Sequence, residues 1–136
     1  MSEKENPENN KKDEKKERTF TEIPPIETHH EIQLDGEPLS YTVNVGMMPL
    51  KDEETGEIEA QIFVSAYTKD NVEDRSKRPL IFVFNGGPGS ASVWLHLGAV
   101  GPKRVKMQDE GWMPAPPYEL IDNQQTWLDQ ADLVFI

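Results

Sequence analysis

The sequence predicts an α/β chain built on a mixed sheet, with antiparallel hairpins leading into central strands. Three observations predict it. Apolar residues alternate with polar ones from Ile32 to Ala66, the period of strands with one wet face. Two later runs, Leu80–Phe84 and Leu133–Ile136, are apolar throughout, which suits strands buried on both faces. Between them a glycine-rich turn is followed by apolar residues at helical spacing, the first half of a strand–helix–strand crossover.

The elements follow in order. Residues 20–29 are an extended lead-in, because Pro24-Pro25 cannot sit inside a helix and biases Ile23 away from helical angles. Ile32 and Leu34 alternate with polar neighbours up to Asp35-Gly36, a dipeptide that readily takes the positive φ angles of a tight hairpin turn. Leu39, Tyr41, Val43 and Val45 continue the alternation on the return strand. Lys51–Glu57 is a charged turn closed by Thr55-Gly56. Ile58, Ala60, Ile62, Val64 and Ala66 then define the inward face of a third strand. Asn71–Arg78 is a polar loop before the apolar run Leu80–Phe84.

After Gly86-Gly87-Pro88-Gly89, Ser90 or Ser92 can cap a helix whose buried side is Val93, Trp94, Leu97 and Val100. Gly98, Gly101 and Pro102 end it. Residues 103–118 read as loop, with Pro114, Pro116 and Pro117. Asn123–Asp129 is a short polar segment around Trp127. The chain closes on Asp132-Leu133-Val134-Phe135-Ile136 without a turn or cap, and a buried strand needs successors to cover it. Residues 20–136 are therefore expected to be the N-terminal portion of an incomplete, truncated domain.

Charge and composition narrow the function classes. In residues 1–19 the six acids Glu3, Glu5, Glu8, Asp13, Glu14 and Glu17 balance the six bases Lys4, Lys11, Lys12, Lys15, Lys16 and Arg18. With almost no apolar side chains, this segment is expected to be a disordered, solvated tail. The whole of the net charge of −11 then falls on residues 20–136, and a body this acidic repels nucleic acid and anionic lipid. Hydrophobic residues are 35% of the chain; even with its 9 Gly added, the apolar share stays a little under the usual ~45–50%, enough for a modest core. The absence of Cys excludes disulfides and thiol chemistry and fits a reducing compartment. With no apolar leader at the N-terminus and no run near the ~20 residues of a spanning helix, the expectation is a soluble cytoplasmic chain.

The segment that carries chemistry is Phe84-Asn85-Gly86-Gly87-Pro88-Gly89-Ser90-Ala91-Ser92. Three Gly in four positions leave backbone N–H groups bare, and the start of a helix adds positive potential beside them. Such a loop can hold a negatively charged oxygen. It is not a P-loop, because no Lys follows Gly89, and it lacks the third Gly of a dinucleotide fingerprint. The bland reading is a tight strand-to-helix turn without a ligand. Pro88 removes one donor and stiffens the loop, holding Gly86 and Gly87 in place.

Asn85-Gly86-Gly87-Pro88-Gly89-Ser90 after an apolar strand resembles the oxyanion segment of the serine carboxypeptidases, which have the α/β-hydrolase fold. Leu97-Gly98-Ala99-Val100-Gly101-Pro102 is similar to that family's Glu-Leu-Gly-Pro stretch, with Glu replaced. Asn123-Gln124-Gln125-Thr126-Trp127 is similar to its Asn-x-x-Ser-Trp, with Thr for Ser, and Ala131–Ile136 to the strand that follows. The likeness covers about residues 79–136 and, more loosely, the hairpins before.

The resemblance implies the N-terminal part of an α/β-hydrolase mixed sheet and release of C-terminal amino acids through an acyl-enzyme. Asn85 would bind the substrate's C-terminal carboxylate through its side-chain amide, with Gly86 N–H beside it, and Gly87 N–H would face the oxyanion. The implied partner is a peptide with a free C-terminus; no cofactor or metal is implied. Val83 stands where the family often has Trp, and Ser90 where it often has Cys. There is no Gly-x-Ser-x-Gly elbow, and in this fold the catalytic Ser, Asp and His come in that order after the strand at Ile136. The triad is therefore not in this chain, which alone is expected to be inactive. Ser90 and Ser92 lie on the wrong loop. His96 is expected on or under the helix, and His29-His30 in an exposed strand lead-in rather than a metal site. Two rivals remain: a proline iminopeptidase-type hydrolase, which usually has His where Asn85 stands, and a non-catalytic β-rich binding module.

Overall fold

The computed structural model describes residues 20–136. The segment 1–19, expected as a solvated tail, lies outside the described residues. Strands β1 (Ile26–Leu34) and β2 (Glu37–Lys51) form the expected hairpin, and Asp35 (φ 51°) and Gly36 (φ 84°) supply its two-residue turn. Strand β3 (Ile58–Lys69) returns antiparallel to β2 after a turn in which the Asp52 carboxylate accepts from the Glu54 and Thr55 N–H groups. Beyond Val45, β2 and β3 leave their neighbours and continue as a two-stranded arm. The lead-in packs on this arm at Gly46, where a Cβ would come within 3.0 Å of Pro25.

Strands β4 (Leu80–Val83) and β7 (Asp132–Phe135) complete a five-stranded mixed sheet in the order β1-β2-β3-β7-β4. β7 runs antiparallel to β3 and parallel to β4. The junction is fastened by a buried ion pair. Arg78 Nε donates to Asp132 Oδ1 at 2.7 Å, and its other nitrogens reach the carbonyls of Leu128 and Asp129. The same carboxylate oxygen accepts from Lys69 N–H at 3.0 Å, so one aspartate joins β3, β7 and the approach to β4.

One face of the sheet carries the core. Ile32, Leu39, Tyr41, Val43, Val83, Leu133 and Phe135 are buried there, against Val100 and Leu128. The third strand turns the opposite way to the expectation. Ser65 and Tyr67, opposite Phe135 and Leu133, are on the core side, and Val64 and Ala66 are on the other. Tyr67 decides this, because its large ring can close the gap to the helix. β4 is likewise not buried on both faces: Leu80 and Phe82 are 55% and 57% exposed, since β4 is an edge strand and no described residues form a layer over its outer face.

The expected helix occupies Val93–Val100 but is not α-helical throughout. It makes one α turn, α1 (Val93–Leu95), then a π-helical turn at His96–Val100. The wider turn shifts the phase, so Leu95, His96 and Val100 face the sheet, whereas Trp94 is 70% exposed. Within the expected loop 103–118 a small hairpin begins: β5 (Lys103–Val105) pairs with β6 (Leu120–Asp122). Asp122 and Gln124 then bind the backbone of Gln33 and Asp35, occupying the free edge of β1.

Candidate active site

The glycine-rich loop leaves the sheet where β4 ends. Val83 pairs with Phe135, and Ile136 N–H donates to the Val83 carbonyl at 3.1 Å, so the chain is held up to the residue before Phe84. Gly87 (φ 62°) and Gly89 (φ 87°) take left-handed angles that side chains disfavour, which explains why glycine stands there. Among the described residues nothing lies within 4 Å of a Cβ built on Gly86, Gly87 or Gly89, so the space above the loop is open to them. The N–H groups of Gly86 and Gly87 donate to no acceptor among the described residues. They are bare donors beside open space, which is what an anionic oxygen requires.

Asn85 is half-buried, and its Oδ1 is fully buried without a hydrogen-bond partner among the described residues. Its Nδ2 is not buried in this way, and no hydrogen bond from it is formed among the described residues. Of the two amide atoms, the nitrogen is a donor able to bind a carboxylate, whereas the oxygen can only accept. The structure thus brings Asn85, Gly86 and Gly87 into one open loop, as their sequence adjacency requires.

Beyond the loop, Ser92 occupies the N-cap position of α1, but its hydroxyl makes no capping bond; Ser90 is exposed. No serine hydroxyl lies within hydrogen-bond distance of a histidine among the described residues. His29 bonds to Thr42 and His30 to Thr28, on opposite sides of β1. His96 sits under the helix: its Nε2 is 2.6 Å from Tyr67 Oη, and its ring stacks on Phe135 with centroids 4.2 Å apart. Burial pushes the His96 imidazole below its ordinary value of 6.5 and the Tyr67 phenol above 10.0. Tyr41, beside Tyr67, is pushed up to about 12, mainly by burial and further by Tyr67 and Asp122.

Two residues of the Asn123–Trp127 segment, singled out by the resemblance but given no role there, are buried anchors for the end of the π turn. Asn123, read as part of a polar turn, is 1% exposed and donates to the carbonyls of Ala99 and Gly101 at 2.7 and 2.8 Å. Thr126 Oγ1 donates to the Val100 carbonyl at 2.9 Å. Together they satisfy the carbonyls left free where the π turn ends. The available signal was the pair of short polar side chains just before an apolar strand.

The sequence model of the serine carboxypeptidase family matches residues 46–136. Among curated proteins, the chain is similar to the pheromone-processing carboxypeptidase KEX1 of Komagataella phaffii, 27% identical over 95 residues, covering 70% of this chain and 13% of that protein. It is 29% identical over 97 residues to the protein of that name from Saccharomyces cerevisiae, covering 69% of this chain and 12% of the relative. The counterpart in Debaryomyces hansenii is 27% identical over 124 residues, 91% of this chain and 16% of its own length. The chain therefore spans only 12–16% of the length of these relatives. No solved structure matches it. The family match extends from the arm of β2 through the glycine-rich loop to the last residue of the chain, and on that ground the chain belongs to the serine carboxypeptidase family.

Proposed function

We propose that this chain supplies the oxyanion and carboxylate-binding loop of a serine-type carboxypeptidase with the α/β-hydrolase fold, acting on peptides with a free C-terminus. The observation that carries the reading is the idle donor set: Asn85 Nδ2 and the bare N–H groups of Gly86 and Gly87, on one open loop. In this reading Asn85 and Gly86 hold the terminal carboxylate. Gly87 N–H then faces the carbonyl oxygen as it becomes an oxyanion, an interaction worth about 3–4 kcal/mol per donor at the transition state. The family match supports the class of reaction. The nucleophile and its base would come from residues beyond this chain, so the 136 residues alone should neither turn over peptide nor react with a fluorophosphonate.

The test is a nuclear magnetic resonance titration of the chain with an N-blocked dipeptide, as free acid and as C-terminal amide. The free acid should move the Asn85 side-chain amide and the Gly86 N–H, and the amide should not. Asn85→Ala should weaken free-acid binding by about 1.5–3 kcal/mol, the range for a hydrogen bond to a charged group. Equal responses to the two ligands would sink the carboxylate role. Stoichiometric fluorophosphonate labelling with turnover would overturn the inactivity of the chain.

A further inference from the structure

The glycine-rich loop has almost nothing of its own to hold it. Among the described residues, no heavy atom lies within 4 Å of the Cβ positions of Gly86, Gly87 and Gly89, and the N–H groups of Gly86 and Gly87 are unbonded. Its position therefore depends on its two stems. The entry stem is Val83, tied to Phe135 by strand pairing. The exit stem is the first turn of α1, which closes when His96 N–H donates to the Ser92 carbonyl at 2.8 Å. The side chain of that same His96 reaches back into the sheet. It stacks on Phe135 at 4.2 Å and 18°, and its Nε2 meets Tyr67 Oη at 2.6 Å. Tyr67 is itself packed edge-on against Phe135, with centroids 5.6 Å apart and rings at 90°.

Both stems thus converge on one residue, Phe135, the entry by backbone pairing and the exit through the imidazole. We propose that His96 is a positioning residue: by bonding to Tyr67 and stacking on Phe135, it sets where the Gly86 and Gly87 N–H groups point. The proposal rests on the reading of those groups as the oxyanion and carboxylate donors. A π turn begins at the same residue, and such turns re-aim a side chain within a helix. A leucine at position 96 would fill the space. Only a ring with a hydrogen-bonding edge can both stack on Phe135 and meet the tyrosine hydroxyl, and this is what fixes the rotation of the helix as well as its distance.

The experiment uses the 136-residue chain, with ¹⁵N spectra of the loop glycines and of the imidazole. In the unaltered chain, the His96 Nε2 signal should show a hydrogen bond that Tyr67→Phe abolishes. Tyr67→Phe removes one oxygen, and His96→Phe keeps the stack but loses the bond. Each should shift the Gly86, Gly87 and Gly89 N–H signals and raise their mobility, while Gly56, at the far tip of the β2–β3 arm, stays unchanged. The double variant should move the loop no further than either single one, because both act through the same bond. Loop signals that stay put in both single variants, or an imidazole that shows no bond in the unaltered chain, would overturn the proposal. Loop glycines that respond as expected, in a chain whose dipeptide titration does not distinguish acid from amide, would uphold the positioning role and remove the carboxylate reading alone.

Discussion

Asn85 occupies a position that folding alone does not reward. Its Oδ1 is buried without a partner among the described residues, and such an acceptor costs about 1–3 kcal/mol of desolvation. Asn85→Leu, similar in size and without polar atoms, should therefore leave the chain as stable as before or more so, read as an equal or higher midpoint in urea. A lower midpoint would mean the oxygen has a partner in solution. His96 makes the complementary prediction for pH. Its folded-state value lies below 6.5 because burial disfavours the cation, so between the two values the unfolded chain binds more protons. Stability should be fully present above about pH 6.5, decline as the pH falls below it, and level off once the folded state is also protonated. The slope should disappear in His96→Phe. The loop itself is legible in the sequence because it is local, and Gly87 and Gly89 take left-handed angles that side chains disfavour. The environment of His96 is not legible there, because it is made by Tyr67 and Phe135, which the fold brings in from two other strands.

At the scale of elements, what the sequence revealed was whatever a single strand or turn decides for itself. The Asp35-Gly36 hairpin, the charged turn before β3 and the strand at β7 are where the turn residues and the last apolar run placed them. The failures share a physical cause, namely that the facing of an element is decided by what covers it. Alternation put Ile62, Val64 and Ala66 inward, but the helix covers the side of Tyr67 instead. Helical spacing put Trp94 inward, but the π turn changed the phase. The β5–β6 hairpin was missed because its strands are three residues each, too short for a period to show. The junction of β3, β4 and β7 yields the prediction at this scale. Arg78 and Asp132 have side chains only 8% and 15% exposed, and Asp132 also serves Lys69 N–H. Arg78→Ala would strand a buried carboxylate together with two carbonyls, so it should cost about 3–5 kcal/mol, measured from the denaturant midpoint. Replacing both residues, Arg78→Met with Asp132→Leu, should recover part of that loss; no recovery would locate the cost in packing rather than in the stranded charge.

For the molecule as a whole, the decisive feature is the imbalance between the two sides of the sheet. The core side is closed by the helix and by the segment that carries Leu128, but the other side presents Phe82 beside Val134 and Ala66, one residue from each of three adjacent strands. Leu80 and Phe84 extend this apolar strip along the free edge of β4, and both are more than half exposed. Apolar faces and unpaired strand edges recruit other chains, and here the two coincide. Acting against this is the net charge of −11, which keeps copies apart through repulsion between exposed groups. The two terms respond differently to salt. Raising ionic strength from about 0.01 to 0.15 M shortens the screening length from ~30 to ~8 Å, which weakens the repulsion and leaves the apolar attraction in place. The 136-residue chain should therefore be mostly monomeric at low salt and associate increasingly as sodium chloride is added, seen as a rising weight-average mass in sedimentation equilibrium. Phe82→Glu, placed in the middle of the strip on an already exposed side chain, should abolish the salt-induced association without lowering the urea midpoint by more than a few tenths of a kcal/mol, as for other exposed positions. Association that weakens with salt would point to attraction between charged groups instead, and association unaffected by Phe82→Glu would place the contact elsewhere, with the exposed methionines of the β2–β3 arm as the next surface to alter.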